Sequence, residues 1–118
     1  MDGQALALWR VDDGVGRLVL NRPQRANAID LAMSRALAAV IDALAAAQPR
    51  AVLICAAGER FCVGGDIDAF VAAGERMAPL IDDILAPLHP ALLRLASLPV
   101  PVISAVNGPV GGAGIGLA

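Results

Sequence analysis

Two short apolar segments, each followed by a glycine-rich turn, form the framework of this sequence. The first is AVLICAAG at residues 51–58, and the second is PVPVISAV at residues 99–106. Apolar runs of this length are typical of strands that are buried on both faces of an α/β sheet. Helical sequence separates the two segments, and this order implies right-handed crossovers between parallel strands. We therefore expect an α/β fold.

Hydrophobic periodicity and turn residues predict the elements of the first half. Apolar runs at residues 5–11 and 16–21 flank Asp12, Asp13 and Gly14, and Asp-Gly between such runs is typical of a β-hairpin. A helix is predicted over residues 30–47, with Asp30 as its N-cap. Apolar residues recur on one face of this helix, which we expect to pack inward: Met33, Leu37, Val40, Ile41 and Leu44.

The second half of the chain contains two further helical stretches. Residues 67–73 predict a short helix after the first glycine-rich turn. Residues 77–97 predict a longer helical stretch, in which Pro87 and Pro90 indicate a kink or a division into two helices. Asn-Gly-Pro at residues 107–109 then turns the chain, and GGAGIGLA at residues 111–118 begins another predicted helix.

Composition and charge argue against several classes of function. Hydrophobic residues make up 58% of the chain and the net charge is −2, so no basic field indicates binding to nucleic acid or to an anionic membrane. One histidine and two cysteines do not suggest a metal site. No apolar run reaches the ~18 residues of a membrane span, and the acidic N-terminus does not resemble a signal peptide. We therefore expect a cytoplasmic protein without a bound metal.

The two glycine-rich turns admit more than one interpretation. GGAGIG at residues 111–116 follows a strand, but Leu117 stands where a dinucleotide-binding fingerprint needs its third glycine. Such glycines can serve close helix–strand packing alone, or they can expose backbone N–H groups toward a pocket. FCVGGDI at residues 61–67 forms a similar turn after the first apolar strand. Two convergent N–H groups at these turns would form an oxyanion hole.

Three motifs, taken in their order along the chain, resemble those of the crotonase superfamily, the enoyl-CoA hydratase/isomerase family. They are LNRP at 20–23 with NAI at 27–29, RFCVGGDI at 60–67, and PVISAVNG at 101–108 with GGAG at 111–114. The resemblance implies an α/β, crotonase-like spiral of ββα units. It also implies that residues 1–118 are the N-terminal part of a single crotonase-like domain. The chain would be truncated after the strand and turn that carry the second oxyanion-hole segment, with the C-terminal half absent.

The resemblance carries site residues onto matching positions of this sequence. The two backbone N–H groups of the oxyanion hole fall on Val63 and Ala113. The CoA moiety of the substrate follows the loop after the second strand and the turn after Val63, which implies these contacts: Gln24, Arg25, Ala26, Gly65, Asp66 and Ile67. Arg25 is positioned to meet a phosphate, although Arg22 and Arg25 are equally open to interpretation as solvated surface residues.

Three other side chains have structural interpretations. We expect Asp66 to tie its loop or cap the short helix that follows it, rather than to act as a catalytic acid. Cys62 has no evident base beside it in the sequence, so we interpret it as a packing residue. His89 lies between two prolines, and we expect it at the surface or at a helix kink.

Position 116 bears on the type of reaction. Hydratases of the family carry a glutamate at the matching position, where this chain has Gly116, and the second acid/base residue of the family would lie beyond Ala118. The resemblance therefore implies stabilisation of a thioester enolate, with isomerisation favoured over hydration. Coenzyme A is part of the acyl-CoA substrate, so we expect no separate cofactor.

Two descriptions of the whole chain remain open. It is either part of a CoA-thioester enzyme with its acid/base groups in a C-terminal half, or a truncated, non-catalytic remnant. Such a remnant would bind CoA weakly or only associate with homologues. The resemblance implies homotrimers or hexamers, formed mainly through the C-terminal helical region. A coding region that continues past Ala118 would favour the enzyme, and a stop codon there would favour the remnant.

Overall fold

The computed structural model describes residues 5–111, and the order of its elements is the one predicted from the sequence. The elements are β1 (Ala7–Asp12), β2 (Val15–Leu20), α1 (Leu31–Ala46), β3 (Ala51–Ala56), α2 (Ile67–Ala73), α3 (Met77–Ala96) and β4 (Val102–Ser104). Short 3₁₀ turns at Pro23–Arg25 and Gly74–Arg76 precede α1 and α3. The predicted helix at residues 111–118 lies outside the described residues, apart from its first position.

The four strands form one mixed sheet in the order β1-β2-β3-β4. Strands β1 and β2 pair antiparallel as the predicted hairpin, whereas β2 with β3 and β3 with β4 pair parallel. The hairpin turn has φ angles of 52° at Asp13 and 79° at Gly14. Positive φ at both central residues is what a two-residue hairpin turn with the strands' own twist requires.

Helix α1 packs on the sheet with the face predicted from its periodicity. The Asp30 side chain caps the helix by accepting from the Met33 N–H at 2.8 Å. The predicted apolar face is buried, and it joins apolar residues of β2, β3 and α3 in one core: Leu18, Leu20, Val52, Ile54, Ile84, Leu88, Ala91 and Leu95. Both the cap and the inward face of this helix are confirmed.

The two apolar strands are less buried than predicted. In β3, Val52 and Ile54 are buried under the helices, but the alternate residues Leu53 and Cys55 are only half-buried. Strand β4 is limited to Val102–Ser104, and Ile103 is 57% exposed. The expectation of full burial on both faces was wrong because, among residues 5–111, helices cover only one face of the sheet. The prolines before β4 also lack the N–H groups that would extend its ladder.

Residues 77–96 form one helix, and not the two helices that were considered as an alternative to a kink. Pro87 and Pro90 lie inside α3, where each removes the hydrogen bond to the carbonyl four residues earlier. Those carbonyls belong to Asp83 and Ala86, which are both exposed, so water can satisfy them. The helix is held instead by its opposite face, which packs in the core. His89 is exposed, as predicted for a surface position.

Candidate functional site

The loop between β2 and α1 is anchored by the buried side-chain amide of Asn27. Its Nδ2 donates to the carbonyls of Ala57, Arg60 and Phe61, each at 3.0 Å, and its Oδ1 accepts from the Arg22 N–H at 2.7 Å. One amide therefore joins the β2–α1 loop to the segment that follows β3. Asn27 belongs to a motif quoted above, but its sequence context gave no sign of this bridging role.

Asp66 caps helix α2, as predicted, and is almost fully buried. Its carboxylate accepts from the Ala69 N–H at 3.1 Å and lies 3.0 Å from Arg22 Nη1 and 3.3 Å from Arg25 Nη2. Burial raises the pKa of this carboxyl, but the Ala69 N–H and the Arg22 guanidinium outweigh burial and hold the pKa below its ordinary value. Asp66 is therefore an ionised structural carboxylate, which is a poor general acid.

Arg22 connects the first turns of two helices. Its guanidinium lies 3.3 Å from Asp30, the cap of α1, as well as 3.0 Å from Asp66, the cap of α2. It also donates to the Ala28 carbonyl at 2.8 Å. The side chain is only 13% exposed, so its interpretation as a solvated surface residue was wrong. The Arg22–Asp66 pair is a fixed cross-link between the β2–α1 loop and the turn after β3.

Arg25 is half exposed and is paired with two carboxylates. Its Nη2 lies 2.6 Å from Asp68 and 3.3 Å from Asp66. Hydrogen bonds to Asp68 and then to Asp66 raise the pKa of the guanidinium above its ordinary value. The positive charge of Arg25 is therefore largely balanced within the protein.

The two glycine-rich turns lie side by side, as predicted. The Phe61 N–H donates to the Pro109 carbonyl at 3.2 Å, and the Gly111 N–H donates to the Cys62 carbonyl at 3.0 Å. Glycine is required at position 108, because a Cβ there would lie 2.0 Å from the Glu59 carbonyl oxygen. Ala113 and Gly116, on which the second N–H donor and the expected reaction type depend, lie outside the described residues.

Val63, the first predicted N–H donor, lines a groove and is 39% exposed. Its N–H donates to the Ala26 carbonyl at 3.3 Å, which is longer than a typical N–H···O bond. Ala26 itself has a φ of 54°, in the left-handed region that residues with a Cβ seldom adopt. The N–H proposed for the oxyanion hole thus already has a hydrogen-bond acceptor inside the protein.

The predicted CoA-binding residues meet in one open groove between the β2–α1 loop and the turn after β3. Its volume is about 390 Å³. All six of these residues line it together with Val63, and the remaining lining residues are Ala28, Arg60 and Asp68. These three residues were not predicted from the sequence to line the groove. Arg60 had a usable signal, since it opens one of the quoted motifs.

The cysteines and histidine do not add chemistry to this groove. Cys62 is fully buried and its Sγ contacts the Asn27 carbonyl at 3.2 Å, in keeping with its predicted packing role. Burial raises the pKa of the Cys62 thiol, which keeps it protonated at neutral pH. Within residues 5–111, no group of three or more potential metal ligands occurs. None of the helices in this range combines the length and the hydropathy that a membrane span requires.

The chain is similar in sequence to known proteins of one family. The family model described as enoyl-CoA hydratase/isomerase matches residues 15–118. A probable enoyl-CoA hydratase of Rhodobacter capsulatus is 33% identical over 93% of this chain and 41% of its own length. The 1,2-epoxyphenylacetyl-CoA isomerase of Escherichia coli is 37% identical over 94% of this chain and 43% of its own length.

A solved structure agrees with these sequence matches. The enoyl-CoA hydratase of Mycobacterium smegmatis superposes with a TM-score of 0.75 at 36% identity, over 87% of this chain and 40% of that chain. The fold and the sequence therefore match the same group of proteins. The chain spans about two fifths of the length of the curated relatives cited above.

Proposed function

The chain belongs to the enoyl-CoA hydratase/isomerase family, and on this premise we propose that its groove binds the CoA moiety of an acyl-CoA thioester. The observation that carries the proposal is the convergence of the predicted contacts. Three residues of the β2–α1 loop and three of the turn after β3 line the same groove as Val63. These two segments lie far apart in the sequence, and the Asn27 amide and the Arg22–Asp66 ion pair hold them together.

The chemistry proposed for this site is polarisation of the thioester carbonyl. The N–H groups of Val63 and Ala113 would donate to the carbonyl oxygen as it gains negative charge in an enolate. Donors that are fixed in advance stabilise this charge more than they stabilise the ground state, and so they lower the barrier. The substrate oxygen would replace the Ala26 carbonyl as the acceptor of the Val63 N–H.

The reaction type that we favour is isomerisation. Gly116 replaces the glutamate that the resemblance places in hydratases, and one relative at 37% identity is an acyl-CoA isomerase by name. Both carboxylates that line the described groove are in ion pairs, so neither is a free replacement base. Asp66 is buried in ion pairs, and Asp68 is paired with Arg25. We therefore propose that proton transfer depends on groups outside residues 5–111.

The test combines binding with turnover on the same purified, mass-verified chain. Isothermal titration with CoA should give saturable binding, and an assay with crotonyl-CoA should show no appreciable hydration, since Gly116 supplies neither acid nor base. A full-length family member serves as the positive control. Absence of CoA binding would overturn the proposed site, and robust hydration would overturn the isomerase preference.

Turnover of candidate enoyl-CoA isomerase substrates separates the enzyme from the binding-only remnant. We expect positional isomerisation if the chain holds its acid/base groups, and CoA binding without turnover if it does not. Sedimentation of the same sample measures whether the chain forms the homotrimer that the family resemblance implies.

A further inference from the structure

Two arginines line the groove, and they differ in whether their charge is paired with a carboxylate. Arg25 lies 2.6 Å from Asp68 and 3.3 Å from Asp66, so its charge is already shared by two carboxylates. Arg60 lines the same groove, is exposed, and has no carboxylate within ion-pair distance in the described part of the chain. An anionic ligand would therefore be attracted to Arg60 more than to Arg25.

The backbone of Arg60 is fixed although its side chain is exposed. The Arg60 carbonyl accepts from the buried Asn27 amide at 3.0 Å, and the next residue, Phe61, is fully buried and bonded to Pro109. The guanidinium is thus carried on a rigid base and needs to lose only side-chain freedom on binding. Arginine is suited to phosphate because its planar guanidinium can donate two parallel hydrogen bonds.

We propose that Arg60 binds the phosphate groups of the CoA moiety, and that Arg25 is a groove-wall residue whose charge is used within the protein. This inference rests on the proposed function and narrows it to one residue. It also replaces the expectation that Arg25 meets a phosphate. A guanidinium pulled from Asp68 and Asp66 toward a ligand would break both of the Arg25 ion pairs, whereas Arg60 has no ion pair to break in the described part of the chain.

The test measures binding of three ligands to the whole 118-residue chain by isothermal titration. CoA carries the 3′-phosphate and the diphosphate, dephospho-CoA lacks the 3′-phosphate, and pantetheine lacks all of these groups. We expect Arg60→Gln to weaken CoA binding about five- to twentyfold, because a charge-assisted hydrogen bond is lost. Pantetheine binding should stay within about twofold of wild type, since it has no phosphate to lose.

Two control variants separate this effect from general changes in charge or folding. Arg35→Gln removes an exposed arginine of α1 that does not line the groove, and it should leave the CoA affinity unchanged. Arg25→Gln should weaken CoA and pantetheine by the same factor, because it loosens the groove wall and not a phosphate contact. Circular dichroism should show that Arg60→Gln melts at the wild-type temperature, because the side chain is exposed.

The comparison of ligands also identifies the phosphate involved. If dephospho-CoA is as insensitive to Arg60→Gln as pantetheine, Arg60 binds the 3′-phosphate; if it is as sensitive as CoA, Arg60 binds the diphosphate. The inference is overturned if Arg60→Gln binds CoA like wild type, or if Arg25→Gln alone shows the phosphate-dependent loss. Failure of the wild-type chain to bind any of the three ligands would instead overturn the proposed function.

Discussion

Replacement of Arg22 by glutamine probes the ion pair that joins the two walls of the groove. The side chains of Arg22 and Asp66 are 13% and 5% exposed, so the change leaves the buried Asp66 carboxylate with less positive charge beside it. Breaking a buried pair by removing one partner costs about 3–5 kcal/mol. Asp66 keeps the Ala69 N–H and the Arg25 contact at 3.3 Å, which reduces this cost.

Arg22→Gln also removes the hydrogen bond to the Ala28 carbonyl, a loss of about 1 kcal/mol. Taken together, we expect the variant to lower the free energy of unfolding by about 2–4 kcal/mol. Urea denaturation followed by circular dichroism measures this difference. The matched control is Arg94→Gln, which removes an arginine from an exposed pair with Asp42 and should cost about 0–1 kcal/mol.

A double-mutant cycle decides whether the cost arises at the ion pair. Asp66→Asn removes the carboxylate charge, so the double variant with Arg22→Gln should be more stable than the sum of the single losses predicts. An Arg22→Gln variant as stable as Arg94→Gln, or additive losses in the cycle, would refute the view that Arg22 cross-links the groove.

Three further outcomes follow from the described contacts. The free energy of unfolding should fall as the pH drops from about 5 toward 3, because the pKa of Asp66 is lower in the folded protein than its unfolded value of about 3.9. Asp66→Asn should flatten this part of the curve of unfolding free energy against pH. Iodoacetamide should alkylate the half-buried Cys55 faster than the fully buried Cys62, as mass spectrometry of peptides from native protein would show; equal rates would contradict the packing described. Gly108→Ala should cost roughly 1–3 kcal/mol in urea denaturation, because its Cβ would overlap the Glu59 carbonyl oxygen, and a neutral effect would mean that the glycine-rich turns are not in close contact.

The elements that the sequence predicted correctly are those decided by local signals. Asp13 and Gly14 can adopt the positive φ of a hairpin turn, and Asp30 and Asp66 precede helices as caps. The burial of β4 and the continuity of α3 depend instead on what packs against each face. Exposed Ile103 has the same sequence signature as a buried strand residue, because composition does not record what covers it.

The sequence predicted those residues of the candidate site that lie in the family motifs. The resemblance identified seven described residues that do share one groove. It did not reveal the Arg22–Asp66 pair, the bridging amide of Asn27 or the difference between Arg25 and Arg60. Each of these depends on contacts between segments far apart in the chain, and the distances are set only when the fold brings the β2–α1 loop to the turn after β3.

Titration of the ¹⁵N-labelled chain with CoA, followed by amide chemical shifts, tests the proposed groove most directly. We predict that the largest shifts concentrate in two segments, residues 24–28 and residues 63–68, with the Val63 amide among them when an acyl-CoA is used. Small or absent changes there, with the largest shifts instead on the open face of the sheet around Leu8, Trp9 and Cys55, would contradict it.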